Sequence, residues 1–487
     1  MRKMSVLSEK LKYFIDQKGV SIADLSKSSG IERSTLYQYI KDRRPLQNQI
    51  QLESIMSELH LTPDERTEVL EAYEITRIGM KKYNRRKKVR EILESLLTLE
   101  EEKTETVKTG EKINLPEMEN KGLIRGELEV NRIVYQVIQE TTRQGGKLKL
   151  LIQPDYDLVM ESLMLVKGGP KDTKVTQIIC LESDSGRDGC SNLESIRRVL
   201  RYGIGIRCYE PRYYYGKTKE HYGSMSIMPY LIAADQYVVQ ISYDRKAAIL
   251  HKDPKIIEYL NGVFDRMCQK THLLMVSVDG FGGEQAQWGS EYIQTANFSN
   301  SYEMCSGLCS VQFWDERLIR KYMKRNIPEY EIMIEKYVAY TAELYQAKRR
   351  GHTTVLMNIA FVEEFIQTGV FREYPEIFFA EPVSPEDRRE LIERALKAMN
   401  EGWYHIRMVP MEDFLLSYHW EILINQGSSI LFQYVFENQF RIFQIDEKDI
   451  LDAVFEFLEN AAEGPNVLDD RQSAELLRKW EKQYLTF

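Results

Sequence analysis

A short segment near the amino terminus carries side chains that can make directed hydrogen bonds from one helical face. Within residues 32–41 the apolar positions fall on one side of a helix. The opposite side presents five polar residues: Arg33, Ser34, Tyr37, Gln38 and Lys41. Arginine can donate two hydrogen bonds to guanine, glutamine can pair with adenine in the same way, and serine suits a phosphate oxygen. These residue types predict contact with nucleic acid, and a merely solvated polar face is the alternative.

The elements that must position this face are short helices joined by tight turns. Residues 7–19 place their apolar side chains on one face and end at Gly19, which predicts a first helix. Ser21 is the expected N-cap of a second helix at 22–28, and Gly30 supplies the turn before the third. Two short helices joined by a glycine turn, the second with a polar outer face, are typical of a helix-turn-helix.

The segment "VSIADLSKSSGIERSTLYQYIKDRRPL" resembles the lambda-repressor-like (XRE, Cro-type) helix-turn-helix family, over about residues 7–75. The similarity rests on the turn glycine and on small, apolar and hydroxyl positions of both helices: Ala23, Leu25, Gly30, Ile31, Ser34, Thr35, Leu36 and Ile40. The resemblance implies closing helices at 50–59 and 63–73. It also implies a set of DNA-binding residues: Ser21, Arg33, Ser34, Thr35, Tyr37, Gln38, Lys41, Arg43 and Arg44.

The charge distribution separates a basic amino-terminal part from an acidic remainder. The whole chain of 487 residues has a net charge of -8, yet residues 1–90 contain 19 Lys and Arg against 12 Asp and Glu. A basic module on an acidic body is expected where one end of a chain meets a polyanion. The run "KKYNRRKKVR" at 81–90 extends the basic part as a helix, and the acidic, aromatic-poor stretch at about 98–121 predicts a flexible linker.

Composition excludes several classes of protein. An apolar fraction of 43% with 29% charged residues is typical of a globular chain, and its longest apolar runs are too short for a membrane helix. We expect no signal peptide. Six cysteines without a CxxC pair or a zinc-like spacing predict neither a disulfide framework nor a metal site. A cytoplasmic location is the expectation that follows.

The body of the chain alternates short apolar runs with helical segments. Strands are predicted at 147–153, 175–181, 204–209 and 237–242, with helices at 156–166 and 192–202. The predicted fold class is therefore multidomain, with an all-α helix-turn-helix domain followed by an α/β body with a mostly parallel sheet. The expected domains are 1–80, a basic helix and linker at 81–121, a first lobe at 122–275 and a second lobe at 276–487.

A weak internal repeat runs through the body. Residues 238–264 and 431–457 share a pattern that pairs Gln240 with Gln433 and Phe264 with Phe457. An internal duplication explains this pattern, and chance matching of amphipathic elements is the alternative.

The repeated unit is similar to the half-domain of the phospholipase D-like fold, which also occurs in sensor domains of TrmB-type regulators. The resemblance implies a catalytic histidine with a lysine two positions later, whereas the first lobe has Met228 and Tyr230 and the second has Glu421 and Leu423 at the matching places. Because neither lobe keeps the nucleophile, no catalytic residue and no enzyme activity are predicted.

Two further patterns in the body suggest sites. Aromatic residues near arginines predict a small-molecule or peptide pocket that uses Arg207, Tyr209, Tyr213 and Arg407, with core packing as the alternative. Cys305 and Cys309 are expected to be inert packed thiols, with a redox switch as the alternative. The glycine-rich segment 278–290 is expected to be a mobile surface loop.

These patterns together predict a cytoplasmic, sequence-specific DNA-binding transcription regulator. Its body is expected to form a homodimer or higher homo-oligomer and to sense an effector, with no cofactor and no membrane contact. Two alternatives stay open. One is a phospholipase D-like phosphodiesterase fused to a DNA-targeting module, and the other is a protein-interaction regulator in phage defence or toxin control.

Overall fold

The computed structural model of the chain describes the following residues: 4–46, 48–104, 122–165, 173–183, 189–206, 208–217, 227–280, 283–371, 373, 378–379, 382–436 and 439–485. They divide into two compact units. The first contains the described residues up to Lys87 together with Gly189 and Cys190, and the second contains the rest from Lys88 onward. The division falls inside a single helix, Met80–Thr104.

Helices make up the amino-terminal part of the described chain. In order they are α1 Val6–Lys18, α2 Ile22–Ser29, α3 Arg33–Ile40, α4 Gln49–Glu58, α5 Pro63–Ile78 and α6 Met80–Thr104. Ser5, Ser21, Asn48 and Thr62 cap four of them by accepting hydrogen bonds from first-turn backbone N–H groups. The ends of α1 to α4 lie close to the predicted ones, because the caps and the left-handed turn glycines are local signals.

The first unit packs around the apolar face of each of its helices. Leu25, Leu36 and Leu52, from α2, α3 and α4, are almost fully buried in one hydrophobic cluster. Ile31 and Ile40, predicted to face inward, belong to the same cluster. The polar side of α3 is therefore directed away from this core.

The prediction of a flexible linker from residue 98 was wrong at its start. Residues 98–104 continue α6, and residues 105–121 lie outside the described part of the chain. The sequence "TLEEEKT" is acidic but rich in good helix formers, so helix propensity extends the element that precedes it. Val89, Ile92 and Leu96 anchor α6 in the core of the second unit.

The second unit begins with a lobe built on an eight-stranded sheet, in the order β1-β7-β6-β5-β2-β3-β4-β8. Its elements are β1 Leu123–Arg125, α7 Glu127–Gln144, β2 Lys147–Leu151, α8 Asp157–Leu165, β3 Lys174–Glu182, α9 Ser191–Gly205, β4 Tyr209–Gly216, β5 Tyr230–Ala234, β6 Val238–Ile241, β7 Ala247–His251, α10 Pro254–Cys268 and β8 His272–Leu273.

A second lobe is built on a seven-stranded sheet in the order β12-β11-β10-β13-β14-β15-β9. Its strands and helices are β9 Val276–Asp279, α11 Gly283–Thr295, β10 Ser301–Cys305, α12 Glu316–Tyr322, α13 Tyr330–Arg349, β11 Thr353–Asn358, α14 Ile359–Thr368, α15 Pro385–Asn400, β12 Tyr404–Val409, β13 Trp420–Asn425, β14 Ser429–Phe436, β15 Gln439–Ile445, α16 Lys448–Ala462 and α17 Asp470–Tyr484. Short 3-10 helices lie at Val311–Phe313 and Met411–Asp413.

The two sheets share one topology. Seven strands of the first, β1-β7-β6-β5-β2-β3-β4, match β9-β15-β14-β13-β10-β11-β12 of the second in neighbour order and in the orientation of every pair. Gln240 on β6 and Gln433 on β14 thus lie on corresponding strands. An internal duplication would produce this correspondence.

The prediction of a mostly parallel sheet was wrong. In each sheet only two pairings are parallel, β2–β3–β4 in the first and β10–β11–β12 in the second, and the others are antiparallel. The reason is chain length between strands: β5, β6 and β7 follow each other after short turns, which allow hairpins but no parallel crossover.

Two local predictions were also wrong. Residues 204–205 end helix α9, and the strand begins only at Tyr209. The glycine-rich segment 278–290 is not a loop, since β9 extends to Asp279 and α11 begins at Gly283. A Cβ on Gly289 would lie 2.7 Å from a ring carbon of Tyr340, so this glycine permits close packing of α11 on α13.

The second unit has a hydrophobic cluster with members from both sheets, such as Leu150 and Ile179 from the first and Phe432 and Phe443 from the second. Among the residues that the structure describes, no helix combines the length and the apolarity needed to cross a membrane.

Candidate functional site

The outer face of α3 presents the polar side chains singled out in the sequence. Arg33, Ser34 and Gln38 are exposed, and Tyr37 is 42% exposed. Thr35 is half-buried between this face and the core. The exposed groups offer hydrogen-bond donors and acceptors along a helix of eight residues, about 12 Å long.

The inner face of α3 is fixed to two other helices. Tyr39 is 5% exposed, and its hydroxyl donates a hydrogen bond of 2.8 Å to Gln51 Oε1 on α4. Ser8 of α1 donates from its hydroxyl to the backbone oxygen of Tyr39 at 2.6 Å. These bonds leave α3 little freedom to rotate about its axis, so the exposed face keeps one orientation within the first unit.

The turn before α3 is equally constrained. Gly30 adopts φ of +70°, a left-handed conformation that favours glycine. Ser26 donates a hydrogen bond of 2.7 Å to the backbone oxygen of Ile31, and Ser54 donates one of 3.1 Å to that of Ser29. Ser21, the N-cap of α2, is exposed at the start of this helix pair.

Three more cations lie in the chain just after the carboxyl-terminal end of α3. Lys41 follows the helix, and the backbone N–H groups of Arg43 and Arg44 both donate to the backbone oxygen of Gln38, at 2.8 and 3.3 Å. Asp42 takes φ of +54° and accepts a hydrogen bond from the backbone N–H of Ser5 at 3.1 Å. This turn holds the exposed side chains of Lys41, Arg43 and Arg44 next to the end of α3.

The cations of the first unit fall into two groups. On the other helices, Lys10 pairs with Glu68 at 2.6 Å and Lys18 with Glu65 at 2.8 Å. Other cations on those helices, such as Lys12 and Lys27, have no carboxylate within 4.0 Å among the described residues. The same is true of the four cations that lie on and just after α3: Arg33, Lys41, Arg43 and Arg44. A carboxylate does lie near this face, since Glu32 accepts a hydrogen bond of 3.2 Å from the hydroxyl of Ser34.

The residues predicted to form a pocket are engaged by their neighbours. The hydroxyl of buried Tyr209 donates to Gln177 Oε1 at 2.5 Å, and the ring of Tyr213 lies 5.7 Å from that of His272. Arg407 pairs with Asp470 at 2.5 Å. Arg207 lies outside the described residues. The pocket made from these residues stays a prediction.

A buried polar cluster, which the sequence did not reveal, lies in the second lobe beside a cavity of about 80 Å³. Lys348 Nζ lies 2.6 Å from Glu303 Oε1 and 3.0 Å from Gln312 Oε1, and the Lys348 and Glu303 side chains are 3% and 4% exposed. Cys309 Sγ donates to Glu303 Oε2 at 3.2 Å. The cavity is also lined by Cys305.

Two further carboxyl groups line the same cavity. Gln433 Nε2 donates to Glu421 Oε2 at 3.0 Å, and the backbone N–H of Ser310 donates to Glu373 Oε1 at 3.2 Å. Burial and the nearby Glu303 charge raise the pKa of Glu421 to about 8, against the opposing effect of Lys348. Burial likewise raises the pKa of Glu373 well above its ordinary range.

The sequence signal for this cluster is weak because its members are distant in the chain. Glu303 and Cys305 alternate on β10, which places both on one face of the strand. Glu421 lies on the neighbouring strand β13, more than a hundred positions later. The one local sign is the apolar context of charged residues, such as Glu421 between Trp420 and Ile422.

The sequence matches no protein-family model and no curated protein. Similar solved structures include the phosphatidylserine synthase of Haemophilus influenzae Rd KW20, with 10% identity and a TM-score of 0.26 over 74% of this chain and 91% of that one. The polyphosphate kinase of Porphyromonas gingivalis has 12% identity and a TM-score of 0.21 over 75% of this chain and 55% of that one.

A third similar structure is TrmBL2, described as an archaeal chromatin protein with a novel mode of DNA binding. It has 13% identity and a TM-score of 0.22 over 52% of this chain and 88% of that one. The identities and TM-scores of all three are too low to support an argument about the function of this chain.

Proposed function

We propose that the amino-terminal unit binds double-stranded DNA in a sequence-specific manner as a helix-turn-helix, and that the chain is a transcription regulator. The observation that carries this proposal is a concentration of exposed, unpaired cations around α3. Arg33, Lys41, Arg43 and Arg44 lie on and just after its polar face, and none of the four has a carboxylate within 4.0 Å among the described residues. An exposed set of unpaired cations beside hydrogen-bonding side chains is what a phosphate backbone and base edges require.

In this proposal α3 enters the major groove, which is about 12 Å wide and admits one helix. Arg33 and Gln38 hydrogen-bond to base edges, and Tyr37 contacts the same groove. The remaining residues contact phosphates or the adjacent backbone: Ser21, Ser34, Thr35, Lys41, Arg43 and Arg44. The hydroxyl of Ser34, which donates to Glu32 in the structure, must exchange this partner for a phosphate oxygen when DNA binds.

The second unit supplies oligomerisation and sensing in this proposal. A single eight-residue reading helix contacts one half-site, and such units act in pairs on half-sites about 34–36 Å apart. We therefore expect the full chain to be a cytoplasmic homodimer or higher homo-oligomer. The shared topology of the two sheets favours an origin by duplication, with 122–275 and 276–487 as the two lobes and with 1–80 as the DNA-binding domain.

The body acts as a sensor rather than as an enzyme in this account. The phospholipase D-like pattern needs a phosphate-binding lysine where Tyr230 lies within β5 with its ring against Tyr156 and Tyr243. It needs a nucleophile where half-buried Glu421 accepts a hydrogen bond from Gln433. A small-molecule or peptide effector near Tyr209, Tyr213 and Arg407 would act by favouring one arrangement of two DNA-reading units over another.

The test is a selection of DNA by the full chain. The chain is incubated with a randomised duplex library at about 0.1 M salt, and bound sequences are recovered and footprinted. We expect a recurrent motif with two half-sites. The matched control is the double variant Arg33→Ala, Gln38→Ala, which should recover no motif. Equal recovery of all sequences by the unaltered chain would contradict the proposal.

A further inference from the structure

The buried polar cluster brings two thiols and a carboxylate to one point of the second lobe. The Sγ atoms of Cys305 and Cys309 and a carboxylate oxygen of Glu303 all lie within 4.8 Å of one another. A tetrahedral zinc ion, with Zn–S of about 2.3 Å and Zn–O of about 2.0–2.2 Å, needs S···O separations of about 3.5 Å and an S···S separation of about 3.8 Å. Cys309 Sγ already lies 3.2 Å from Glu303 Oε2. Shifts of about 1 Å bring the three donors to the distances that zinc requires.

The donors are held by well-anchored backbone. Glu303 and Cys305 lie on β10, which is paired on both sides by β11 and β13. Cys309 follows in a connection whose position is fixed by two hydrogen bonds to its backbone oxygen, from the hydroxyl of Tyr404 and from Gln312 Nε2, both at 2.9 Å. The thiols are therefore presented by the fold and need no loop rearrangement to meet.

A fourth donor is present at the same cavity. Glu421 Oε1 is buried and has no hydrogen-bond partner among the described residues, although Gln433 satisfies the other oxygen of this carboxyl group. A buried polar atom without a partner is rare in a folded protein. Such an atom, at a cavity that two thiols and a second carboxylate also line, is available to a cation.

Lys348 does not supply this missing contact. Its ammonium group lies against Glu303 Oε1 and Gln312 Oε1, which leaves Glu303 Oε2 directed at the thiol of Cys309. Lys348 thus orients Glu303, in the way that hydrogen-bonding neighbours commonly orient metal ligands.

We propose that Glu303, Cys305 and Cys309 bind a divalent cation of the zinc class, with Glu421, which lines the same cavity, turning toward the ion as the fourth donor. Thiol ligands select such a cation over magnesium or calcium, which prefer oxygen alone. Binding converts the two thiols to thiolates, and the Glu421 carboxyl must also lose its proton to act as a ligand, so that about two to three protons leave the cluster for each divalent ion bound. All four donors are protein side chains, and Glu303, Cys305 and Cys309 are buried, which is typical of a structural site. This proposal does not depend on DNA binding by the first unit. It differs from the sequence-based prediction that the chain has no metal site.

The test uses Co²⁺ as a spectroscopic probe on the untagged full chain after treatment with a chelator. We expect one equivalent of Co²⁺ to produce a thiolate-to-cobalt charge-transfer band, and Zn²⁺ to abolish that band by displacement. Cys305→Ser and Cys309→Ser each remove a ligand. Each should weaken Co²⁺ binding by at least about 100-fold, which is the largest loss expected from removing a residue that only orients a ligand. Glu421→Gln should keep the band and weaken binding by about 10-fold.

The matched control is Cys208→Ser, because Cys208 is an exposed thiol outside the cluster. This variant should bind Co²⁺ as the unaltered chain does. Should the cluster variants fail to fold, proton release by the unaltered chain decides, with at least about two protons expected per Zn²⁺ bound, since both thiols must be deprotonated. Absence of the charge-transfer band in the unaltered chain, or its persistence when both Cys305 and Cys309 are serine, would overturn the proposal.

Discussion

The hydroxyl of Tyr39 on α3 donates a hydrogen bond of 2.8 Å to Gln51 Oε1 on α4. Tyr39 is 5% exposed, whereas Tyr37, two positions earlier on the same helix, is 42% exposed. One tyrosine thus fixes α3 to its neighbours and the other stands on the face proposed to meet DNA. The orientation of that face depends on a buried contact that never touches DNA.

Replacement of Tyr39 by phenylalanine tests this dependence. Tyr39→Phe keeps the packed ring but leaves Gln51 without its partner, and we expect a loss of about 1 kcal/mol. The measurement is hydrogen exchange of the amides of α3 and α4 in the full chain, which should accelerate. Tyr13→Phe is the control, since Tyr13 is 55% exposed, and a similar acceleration in that variant would show that the contact has no special role.

The turn glycine gives a second prediction. Gly30→Ala forces an L side chain into φ of +70°, although no atom lies within 4 Å of the added Cβ. The cost is therefore backbone strain alone, about 1–2 kcal/mol. Urea denaturation of the full chain, followed by a probe in the first unit, should show this loss. Gly122→Ala, which is also uncrowded but has an ordinary φ, should leave the free energy of unfolding of that unit unchanged.

Side chains on the reading face and those after it should differ in their effect on DNA binding. Arg33→Ala and Gln38→Ala should each cost about 1–3 kcal/mol on the selected site and much less on random DNA, because base contacts discriminate. Lys41→Ala and Arg43→Ala should weaken both DNAs alike and flatten the dependence on salt, because phosphate contacts release counterions. Binding titrations at several salt concentrations separate the two classes. Equal losses on both DNAs for Arg33 and Gln38 would mean that the wrong face was assigned.

The second unit should show a pH-dependent contribution from His405. Its Nδ1 lies 2.7 Å from Asp470 Oδ2, and this hydrogen bond raises the pKa of His405 above its ordinary value of 6.5. The stabilisation is therefore fully present below about pH 6.5 and is lost as the pH rises through the raised pKa. The ring of His352, 4.0 Å away, opposes this trend because burial and the neighbouring His405 lower its pKa.

The effect of His405 is isolated by comparing the unaltered chain with His405→Gln. The difference between their thermal midpoints should be larger at pH 5.5 than at pH 8.5. Asp470→Asn removes the partner and should reduce the same difference, although Asp470 also pairs with Arg407. A difference that grows with increasing pH would contradict the assignment.

The parts of the structure that could be predicted are those encoded by neighbours in the sequence. Ser21 as a helix cap and Gly30 as a left-handed turn act over a few residues, so the helices around the polar face were located correctly. The orientation of strands in the body depends on how far apart paired strands lie in the chain, and the alternation of strands with helices concealed the hairpins of β5, β6 and β7. The glycines of 278–290 suggested a loop. Gly289 instead lies within helix α11, where the ring of Tyr340 leaves no room for a Cβ atom.

The buried cluster could not be predicted because no local pattern unites its members. The spacing of Cys305 and Cys309 indicates packed thiols, and Glu421 stands where the phospholipase D-like pattern has a histidine. Their proximity arises from the pairing of β10 with β13, which is a property of the folded sheet. The sequence signal of such a cluster is a charged residue within an otherwise apolar strand, as at Glu303 and Glu421.

The central claim, that α3 and the turn after it read DNA, is tested most directly by fluorescence anisotropy with the selected duplex and a random duplex of equal length. The full chain and its Arg33→Ala, Gln38→Ala double variant are titrated at about 0.1 M salt. The account predicts that the full chain binds the selected duplex at least about 1,000-fold more tightly than the random one. It also predicts that the double variant loses most of this ratio while keeping its affinity for random DNA. Equal affinity of the unaltered chain for both duplexes, or an unchanged ratio in the double variant, would contradict the account.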